Sequence, residues 1–405
     1  MNENESKNRK EMTDAPSEEA GLAAGGEEAV ASHKKKSILC RILLALGIVI
    51  CAVVFFAVGV ILWLTITEYK PGDREGLVVL SAVASDGDRR ELPAAPLDAE
   101  ITLMTWNLGY GALGDNADFF MDGGSGVYTA DKDRVNENLN GIFASISRVK
   151  PDILLVQEID VDSSRSYGID ETRRLADLMN GLSDTGYQSV FAYNFRVKYV
   201  PYPIPPVGRV YSGIQMLSRY QITVAERVKL PCPFSWPVRV ANLKRCLTIQ
   251  RMPVEGSDKE LVVINLHLEA YDSGEGKIEQ TKLLREVFDA EVAKGNYVIA
   301  GGDFNQSFSN IDTSRYPVAS DKWQCGKIDV DEFGSNYTFV TDNRVPTCRS
   351  LDTVYAGADK DTFQYYVIDG FIVSSNVEVL SCETLSYDFR CSDHNPVTMS
   401  VKLKP

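Results

Sequence analysis

The longest apolar run of the chain lies near its N-terminus. Residues 42–66 contain no charged side chain and consist mainly of Leu, Ile, Val, Ala and Phe. A helix of this length crosses the hydrocarbon core of a bilayer with some tilt. The pattern predicts a transmembrane helix over residues 38–66, and a cleaved signal peptide is the alternative interpretation.

The segments on either side of this run differ in charge. Residues 1–37 show no apolar periodicity and are predicted to be a disordered tail. Lys34, Lys35, Lys36 and Arg41 precede the apolar run, whereas the cations after it are interspersed with acidic residues. The positive-inside rule therefore places the tail in the cytoplasm and the rest of the chain outside a single-pass cell membrane protein.

Beyond the apolar run, the hydrophobic pattern alternates between two periods. Residues 67–98 carry Pro, Gly and charges, and are predicted to be a linker. The subsequent strand-like runs cover residues 101–107, 153–158, 189–194, 212–218, 261–268, 297–305, 365–374 and 395–403. Apolar residues recur at helical spacing within 135–146 and 278–292. The pattern predicts one mixed α/β domain over residues 99–405.

Composition and charge restrict the partners of this domain. The chain is 44% hydrophobic, which excludes disorder for most of its length, and its net charge is −14. Residues 67–405 alone carry a net charge of −13. Broad affinity for nucleic acid requires the opposite sign, so nucleic acid is a possible but disfavoured partner. The apolar helix makes a lipid bilayer the favoured one.

The cysteines give no metal-binding spacing. Six of the eight follow the apolar run, and no CxxC motif occurs, so a zinc site is disfavoured. Disulfides such as Cys232–Cys246 or Cys382–Cys391 and free buried thiols are both compatible with the sequence.

Several strand-like runs end in polar residues that a hydrophobic core would not select. These residues are Asn107, Glu158, His267, Asp303, Asn305, Asp369, Asp393 and His394. Ligands gather where strand ends converge in a layered α/β domain, so these side chains are predicted to share one cleft. Carboxylates such as Glu158 and Asp393 suit Mg²⁺ or Mn²⁺, and imidazoles suit contact with a phosphate oxygen. The set favours hydrolysis of a phosphate ester.

The motifs around these residues occur in a recognisable order. They are NLGY at 107–110, QE at 157–158, SGIQMLSR at 212–219, NLHL at 265–268, GDFN at 302–305, IDGFIVS at 368–374 and SDHNPV at 392–397. In this order they resemble the motifs of the endonuclease/exonuclease/phosphatase superfamily, whose best-known nuclease is deoxyribonuclease I, over residues 99–403. The resemblance implies a four-layer α/β/β/α sandwich with two packed mixed sheets.

The resemblance also implies roles for individual residues. Glu158 would be the principal metal ligand, assisted by Asn107 and Asp393. Asp303 and Asn305 would orient or activate the attacking water. Asp369 would hold His394, and His394 and His267 would contact the phosphate.

Two features depart from the family pattern or extend it. The carboxylate that supports the first histidine in several nucleases is missing near SGIQ, and Glu269 is a candidate substitute. The proline-rich segment 199–210 is predicted to border the cleft, with Arg209 and Tyr202 binding the phosphate and a flat or lipidic group. A rigid structural loop is the alternative for this segment.

Together these observations predict a membrane-anchored phosphoesterase that depends on Mg²⁺ or Mn²⁺. The favoured substrate is a small or lipid-type phosphodiester or phosphomonoester, hydrolysed by metal-assisted attack of water. A cell-surface nuclease of the same superfamily and a non-catalytic binding protein that retains the fold are the alternatives.

Overall fold

The structure is a computed structural model that describes residues 19–83, 87–272, 274–320 and 322–405. The chain divides into two compact units, with the boundary between Trp63 and Leu64. The first contains helix α1 (Glu19–Ile66) up to Trp63, and the second contains the last three residues of α1, all strands and the other helices.

Helix α1 is longer than the predicted membrane span. Its part from Lys34 to Ile66 is long and apolar enough to cross a membrane, a test that a signal sequence also passes. The helix begins at Glu19, within the segment predicted to be disordered, because Ala, Glu and Lys favour helix. Residues 1–18 of the predicted tail lie outside the described residues.

The second unit contains eighteen strands in the described part of the chain. They are β1 (Arg74–Gly76), β2 (Val79–Leu80), β3 (Ile101–Asn107), β4 (Ile153–Asp160), β5 (Gln188–Val200), β6 (Gly208–Ser218), β7 (Val224–Lys229), β8 (Cys246–Pro253), β9 (Glu260–His267), β10 (Tyr297–Asp303), β11 (Gln306–Phe308), β12 (Gly326–Ile328), β13 (Tyr337–Val340), β14 (Cys348–Arg349), β15 (Tyr365–Tyr366), β16 (Asp369–Ser374), β17 (Val377–Thr384) and β18 (Val397–Leu403). The helices are α2 (Lys132–Val149), α3 (Glu171–Gly181) and α4 (Glu275–Val292).

Fourteen of these strands form two mixed sheets of seven strands each. The first sheet has the order β1-β7-β8-β9-β10-β16-β13, and the second has the order β17-β18-β3-β4-β6-β5-β2. Helix α4 covers the outer face of the first sheet, and α2 and α3 cover that of the second. The four-layer α/β/β/α sandwich is therefore confirmed.

The core follows from the alternation of side chains along each strand. On β10, Tyr297 and Ile299 belong to the cluster between the two sheets, whereas Val298 and Ala300 belong to the cluster under α4. Both faces of such a strand are buried, which explains its nearly continuous apolar sequence.

The two helical patterns behave differently. All the apolar residues that predicted α2 are buried, and Asp131 caps its N-terminus by accepting from the Arg134 amide. In α4, Leu284 and Phe288 are buried, but Ile278 is 66% exposed. The prediction that Ile278 lies on the buried face of α4 is thus wrong. Ile278 belongs to the first turn, which precedes the packed part of the helix.

The predicted linker, residues 67–98, contributes an edge strand to each sheet instead. Strand β1 pairs with β7, and β2 pairs with β5. Further along, Ala95 bridges to Val254 and is fully buried. Short strands at sheet edges carry a weak alternation signal, which the charges in this segment obscure.

None of the eight cysteines forms a disulfide. The free thiols were the alternative that the sequence left open. Burial raises the pKa of Cys246 to about 11 and that of Cys348 to about 12, so both are protonated at neutral pH.

Candidate active site

Three neighbouring strands of the first sheet bring a histidine and two aspartates side by side. Asp303 at the end of β10 is the register partner of His267 on β9 and of Asp369 on β16. All three side chains are at least 97% buried. The convergence that the sequence predicted for these strand ends is therefore present in the structure.

His394 joins this row from the segment before β18. Its Nδ1 lies 2.9 Å from Asp369 Oδ2, and its Nε2 lies 3.8 Å from Asp303 Oδ2 and 3.9 Å from Asp393 Oδ2. Trp106 Nε1 donates to the His394 carbonyl. Burial alone would lower the pKa of His394, but Asp369, Cys348 and Asp393 together outweigh burial and hold that pKa well above its usual value. The imidazole is thus fixed as a cation that points Nε2 into the cluster.

Asn107 links the two sheets at this point. Its Nδ2 donates to Asp303 Oδ2 of the first sheet at 3.0 Å and to Glu158 Oε1 of its own sheet at 3.3 Å. Its Oδ1 accepts from the Gly109 amide. A carboxamide at the end of β3 therefore holds two carboxylates in one cluster.

Glu158 lies in an irregular part of β4. The pairing of β4 with β6 is regular up to Val156 and resumes at Ile159, and Glu158 between them has a φ of 50°. Such a bulge bends the strand and redirects a side chain. The side chain of Glu158 is 27% exposed. Among the carboxylates that pair with His267 or His394 in the described residues, that of Glu158 is the most accessible to solvent.

Asp303 and Asn305 form a tight turn after β10. The Asn305 amide donates to Asp303 Oδ1 at 2.9 Å, and Asn305 Nδ2 donates to the Leu268 carbonyl. Burial, and then the neighbouring Asp369 carboxylate, raise the pKa of Asp303 to about 7. A carboxyl group with this pKa exchanges protons near neutral pH.

His267 faces the carboxylates with Nε2, which lies 3.4 Å from Asp303 Oδ2 and 3.9 Å from Glu158 Oε1. Burial, and then the positive charge of Arg245, lower the pKa of His267 well below its usual value. The side chain is therefore neutral at pH 7. Its Nδ1 has no hydrogen-bond partner among the described residues.

The expectation that Glu269 supports His267 is wrong. Glu269 Oε2 accepts from Arg245 Nε at 3.2 Å, and Glu269 Oε1 accepts from the amides of Ala270 and Tyr271. Strand β9 ends at His267, so the alternation that would place both side chains on one face ends there too.

The donor set of the cluster fits a divalent cation. Four buried or half-buried carboxylates lie together, namely those of Glu158, Asp303, Asp369 and Asp393, and within the described ranges no Lys or Arg forms an ion pair with them. Burial outweighs the opposing charge of His394 and raises the pKa of Asp393 to about 6, and the Glu158 carboxylate adds to the rise. The His394 cation offsets only part of this buried negative charge, which is costly without a further cation, and hard oxygen donors bind Mg²⁺ or Mn²⁺.

Gly109 keeps room beside one of these donors. It has a φ of 52°, and a Cβ at this position would lie 2.8 Å from Asp393 Oδ1. A left-handed backbone and this close approach both require glycine. The loop after β3 thus positions Asp393 as well as Asn107.

The two predicted substrate-binding residues lie in the β5–β6 hairpin. Arg209 Nη2 donates to Asp162 Oδ1 at 2.6 Å, so the positive charge of Arg209 is paired with an acidic side chain. Tyr202 is 69% exposed. Its ring packs edge-on against the ring of Phe120, with 6.0 Å between the two ring centres. The structure records no contact between either residue and the catalytic cluster within its described ranges, and their substrate-binding role stays a prediction.

Asp122, which lies near the cluster, was missed by the sequence analysis. Tyr271 Oη donates to Asp122 Oδ1 at 3.0 Å, and burial, the leading cause, raises the pKa of Asp122 to about 7 with Asp393 and Glu158 contributing. On the other side, the Arg165 guanidinium stacks 3.4 Å from the centre of the Tyr110 ring. Tyr110 is part of the NLGY motif, whereas Asp122 carries no sequence signal of its own.

Comparison with known proteins places this cluster in a family context. The family model described as "Endonuclease/Exonuclease/phosphatase family" matches residues 104–394. A search of curated proteins gives no match. Members of this family are generally phosphate-ester hydrolases and typically use divalent metals.

Solved structures share the fold at low sequence identity. An endonuclease/exonuclease/phosphatase from Beutenbergia cavernae is 21% identical with a TM-score of 0.51, covering 75% of this chain and 72% of its own. One from Bacteroides vulgatus is 15% identical with a TM-score of 0.48, covering 76% and 100%. The catalytic domain of human Nocturnin with bound sulfate is 16% identical with a TM-score of 0.45, covering 81% and 97%.

Proposed function

Because the chain belongs to the endonuclease/exonuclease/phosphatase family, we propose that its buried cluster hydrolyses a phosphate ester with the help of Mg²⁺ or Mn²⁺. The observation that carries the proposal is the His394–Asp369 pair, 2.9 Å apart, in which His394 Nε2 faces two further carboxylates, those of Asp303 and Asp393. This pairing fixes the ring and its charge.

The proposed metal ligands are Glu158, Asn107 and Asp393. Glu158 and Asp393 provide carboxylate oxygens, and the Asn107 carboxamide holds Glu158 in place at 3.3 Å. When bound, the cation neutralises charge that develops on the phosphoryl group. Gly109 leaves the space that the Asp393 carboxylate occupies.

The proposed catalytic residues act on opposite sides of the reacting phosphate. The cationic His394 donates its Nε2 proton as a hydrogen bond to a phosphoryl oxygen. The neutral His267, 3.4 Å from Asp303, contacts a second phosphoryl oxygen. Asp303, whose turn is held by the Asn305 amide, accepts a proton from the attacking water.

The proposed substrate is a small or lipid-type phosphoester. The net charge of −13 on residues 67–405 opposes long polyanions, and α1 would hold the site near a bilayer surface. We further propose that α1 spans the membrane with the catalytic unit outside, as the cations before it favour. Arg209 and Tyr202 would then lie on the hairpin that borders the substrate.

The test is a substrate panel with the full chain in detergent. Sphingomyelin, phosphoinositides, nucleotides, single-stranded DNA and RNA are each offered with Mg²⁺, with Mn²⁺ and with a chelator. We expect turnover of a small or lipid-type phosphoester that the chelator abolishes. The Glu158→Gln variant should bind Mn²⁺ at least about tenfold more weakly, whereas the exposed control Glu332→Gln should bind it normally.

Three results would contradict the proposal. Turnover that persists in chelator would show that the reaction needs no metal ion. Preferential cleavage of DNA or RNA would favour the nuclease alternative. An absence of turnover on the whole panel favours the non-catalytic binding protein. For the topology, protease added to intact cells should digest the catalytic unit, and full protection of that unit would refute an outward orientation.

A further inference from the structure

A basic cleft lies directly after α1, at the start of the second unit. It encloses about 220 Å³ and is lined by Thr67, Glu68, Tyr69, Lys70, Arg196, Lys198 and Tyr211. We call this cavity the basic cleft. Its walls come from the chain that follows α1 and from strands β5 and β6.

The charge of the basic cleft is opposite to that of the domain. Arg196 and Lys198 form no ion pair with any carboxylate in the part of the chain that the structure describes. The acidic lining residue, Glu68, is shared among three cations: Lys70 at 3.6 Å, Arg239 at 3.4 Å and Lys244 at 3.4 Å. A positive cavity in a unit with a net charge of −13 is suited to an anionic ligand.

One cation of the cleft, Arg196, lies against aromatic rings. The Arg196 guanidinium lies over the rings of Tyr69, Tyr193 and Tyr211, at 5.6, 5.1 and 5.8 Å from their centres. Stacking of this kind orients the planar fork of arginine and leaves its edge free for a phosphate.

A buried arginine lies close to Tyr69, one of the residues that line the basic cleft. Arg227 is 1% exposed and lies 5.8 Å from the centre of the Tyr69 ring. Its Nε and Nη2 donate to the carbonyls of Tyr193 and Lys244, but Nη1 has no hydrogen-bond partner among the described residues. Arg227 therefore adds a buried positive charge close to Tyr69 in the wall of the basic cleft.

Chain connectivity places the basic cleft near the end of α1. Thr67 follows Ile66, the last residue of the helix, and Lys70 is only four residues from Ile66. Consecutive Cα atoms are 3.8 Å apart, so Lys70 lies within about 15 Å of the helix end. In a chain anchored by α1, this is the level of the lipid headgroups.

We infer that the basic cleft binds the phosphate of an anionic phospholipid headgroup at the membrane surface. Arg196 and Lys198 would donate to the phosphate oxygens, and the tyrosine rings would contact the glycerol portion. The inference relies on the proposed membrane span but not on catalysis.

This assignment would also orient the catalytic unit. The Val161 amide, three residues after Glu158, donates to the carbonyl of Tyr211 in the cleft wall at 2.8 Å. The cleft and the candidate active site thus lie at the same end of one sheet. Strand β4, which carries Glu158, and strand β5, which carries Arg196, are two strands apart, or roughly 10 Å across the sheet. A lipid held in the basic cleft would keep the catalytic cluster close to the bilayer surface.

The test uses the full chain in nonionic detergent with a chelator present, so that no turnover occurs. Dihexanoyl phosphatidylglycerol, dihexanoyl phosphatidylcholine and inorganic phosphate are titrated separately, and the dissociation constants are measured by calorimetry. We expect the anionic lipid to bind at least tenfold more tightly than either other ligand. The R196Q/K198Q variant should weaken that binding at least tenfold, and the matched control R173Q/K327Q should not change it.

Equal affinity for the two lipids, or unchanged binding in R196Q/K198Q, would overturn the inference. Inorganic phosphate that binds as tightly as the anionic lipid would also overturn it, because the ligand would then be a free anion. If the double variant does not fold, the exposed Lys198→Gln change alone should weaken binding of the anionic lipid at least threefold. Unchanged binding in that variant would also overturn the inference. If α1 does not span the membrane, the protease experiment on intact cells would show it, and the lipid titration would not.

Discussion

The Asn265 side chain of one sheet donates to the Val156 carbonyl of the other, 3.2 Å away, at the point where β4 loses its register with β6. Its Nδ2 also donates to the carbonyl of Gln215, the register partner of Val156, at 3.0 Å. Asn265 Oδ1 accepts from Gln157. One buried carboxamide therefore satisfies the backbone at the bulge that turns Glu158 into the active site.

Replacing Asn265 with Leu should destabilise the fold and weaken metal binding together. The carbonyls of Val156 and Gln215 lose the Asn265 donor, and the Gln157 amide keeps only its bond to Thr105, which together costs about 2–4 kcal/mol in the free energy of unfolding. Urea denaturation and Mn²⁺ titration measure the two effects. The exposed control Asn336→Leu should change neither, and a variant at Asn265 with normal stability would show that the bulge needs no such support.

A methyl group at Gly109 should disturb the metal site through Asp393. The Gly109→Ala side chain would lie 2.8 Å from Asp393 Oδ1, in addition to the strain of a positive φ. We expect Mn²⁺ affinity to fall by about tenfold or more. Gly256→Ala is the matched control, because Gly256 has a φ of 70° but no atom within 4 Å of the added Cβ. Equal losses in both variants would attribute the effect to backbone strain alone.

The sequence predicted the central strands well because their signal is strong. Strand β3 has the predicted bounds, and β9 and β10 differ from prediction by only one or two residues. These strands are buried on both faces, so their apolar runs are nearly unbroken. The predicted strand over residues 365–374 is split into β15 and β16 in the structure.

The sequence could not predict features that depend on distant contacts. The bulge at Glu158 depends on Asn265, which lies more than 100 residues away along the chain. The edge strands β1 and β2 are three and two residues long, too short for a period to be recognised. Helix α3 was missed because only Leu175 and Met179 are fully buried apolar residues on it, apart from a buried Glu171. Asp122 reaches the site through a loop, for which no periodic rule exists.

The ion pair between Glu291 and Arg251 should make stability depend on pH in the acidic range. Arg251 donates to both carboxylate oxygens of Glu291, at 2.8 and 2.6 Å. Burial opposes ionisation, but the hydrogen bonds from Arg251, Lys294 and Asn296 prevail and lower the pKa of Glu291 to about 2. A lowered pKa stabilises the fold above the unfolded pKa of about 4.5, and this contribution is lost as pH falls toward 2.

The Glu291→Gln variant should therefore lose about 2–3 kcal/mol in the free energy of unfolding at pH 7. The difference from the parent protein should shrink as the pH is lowered from 5 to 3. Urea denaturation at several pH values measures it, with the exposed Glu286→Gln as control. A difference that stays constant across this range would show that the loss is one of packing and not of charge.

Replacing Asp369 with Asn should reduce turnover without unfolding the protein. Asn cannot hold His394 as a cation, so the hydrogen bond that Nε2 offers to a phosphoryl oxygen weakens. We expect kcat/KM to fall by about 10²- to 10³-fold, with little change in the melting temperature. The exposed Asp331→Asn is the control. Activity within a factor of three of the parent protein would remove Asp369 from the mechanism.

Hydrolysis of bis-p-nitrophenyl phosphate by the full chain and its His394→Ala variant in Mg²⁺ tests the central claim most directly. The chain has only three histidines, so His33→Ala in the N-terminal segment provides a matched control. We predict that His394→Ala lowers kcat/KM by about 10²- to 10⁴-fold and that His33→Ala leaves it unchanged. Equal rates in the parent protein and the His394→Ala variant would contradict the assignment of the cluster as the catalytic centre.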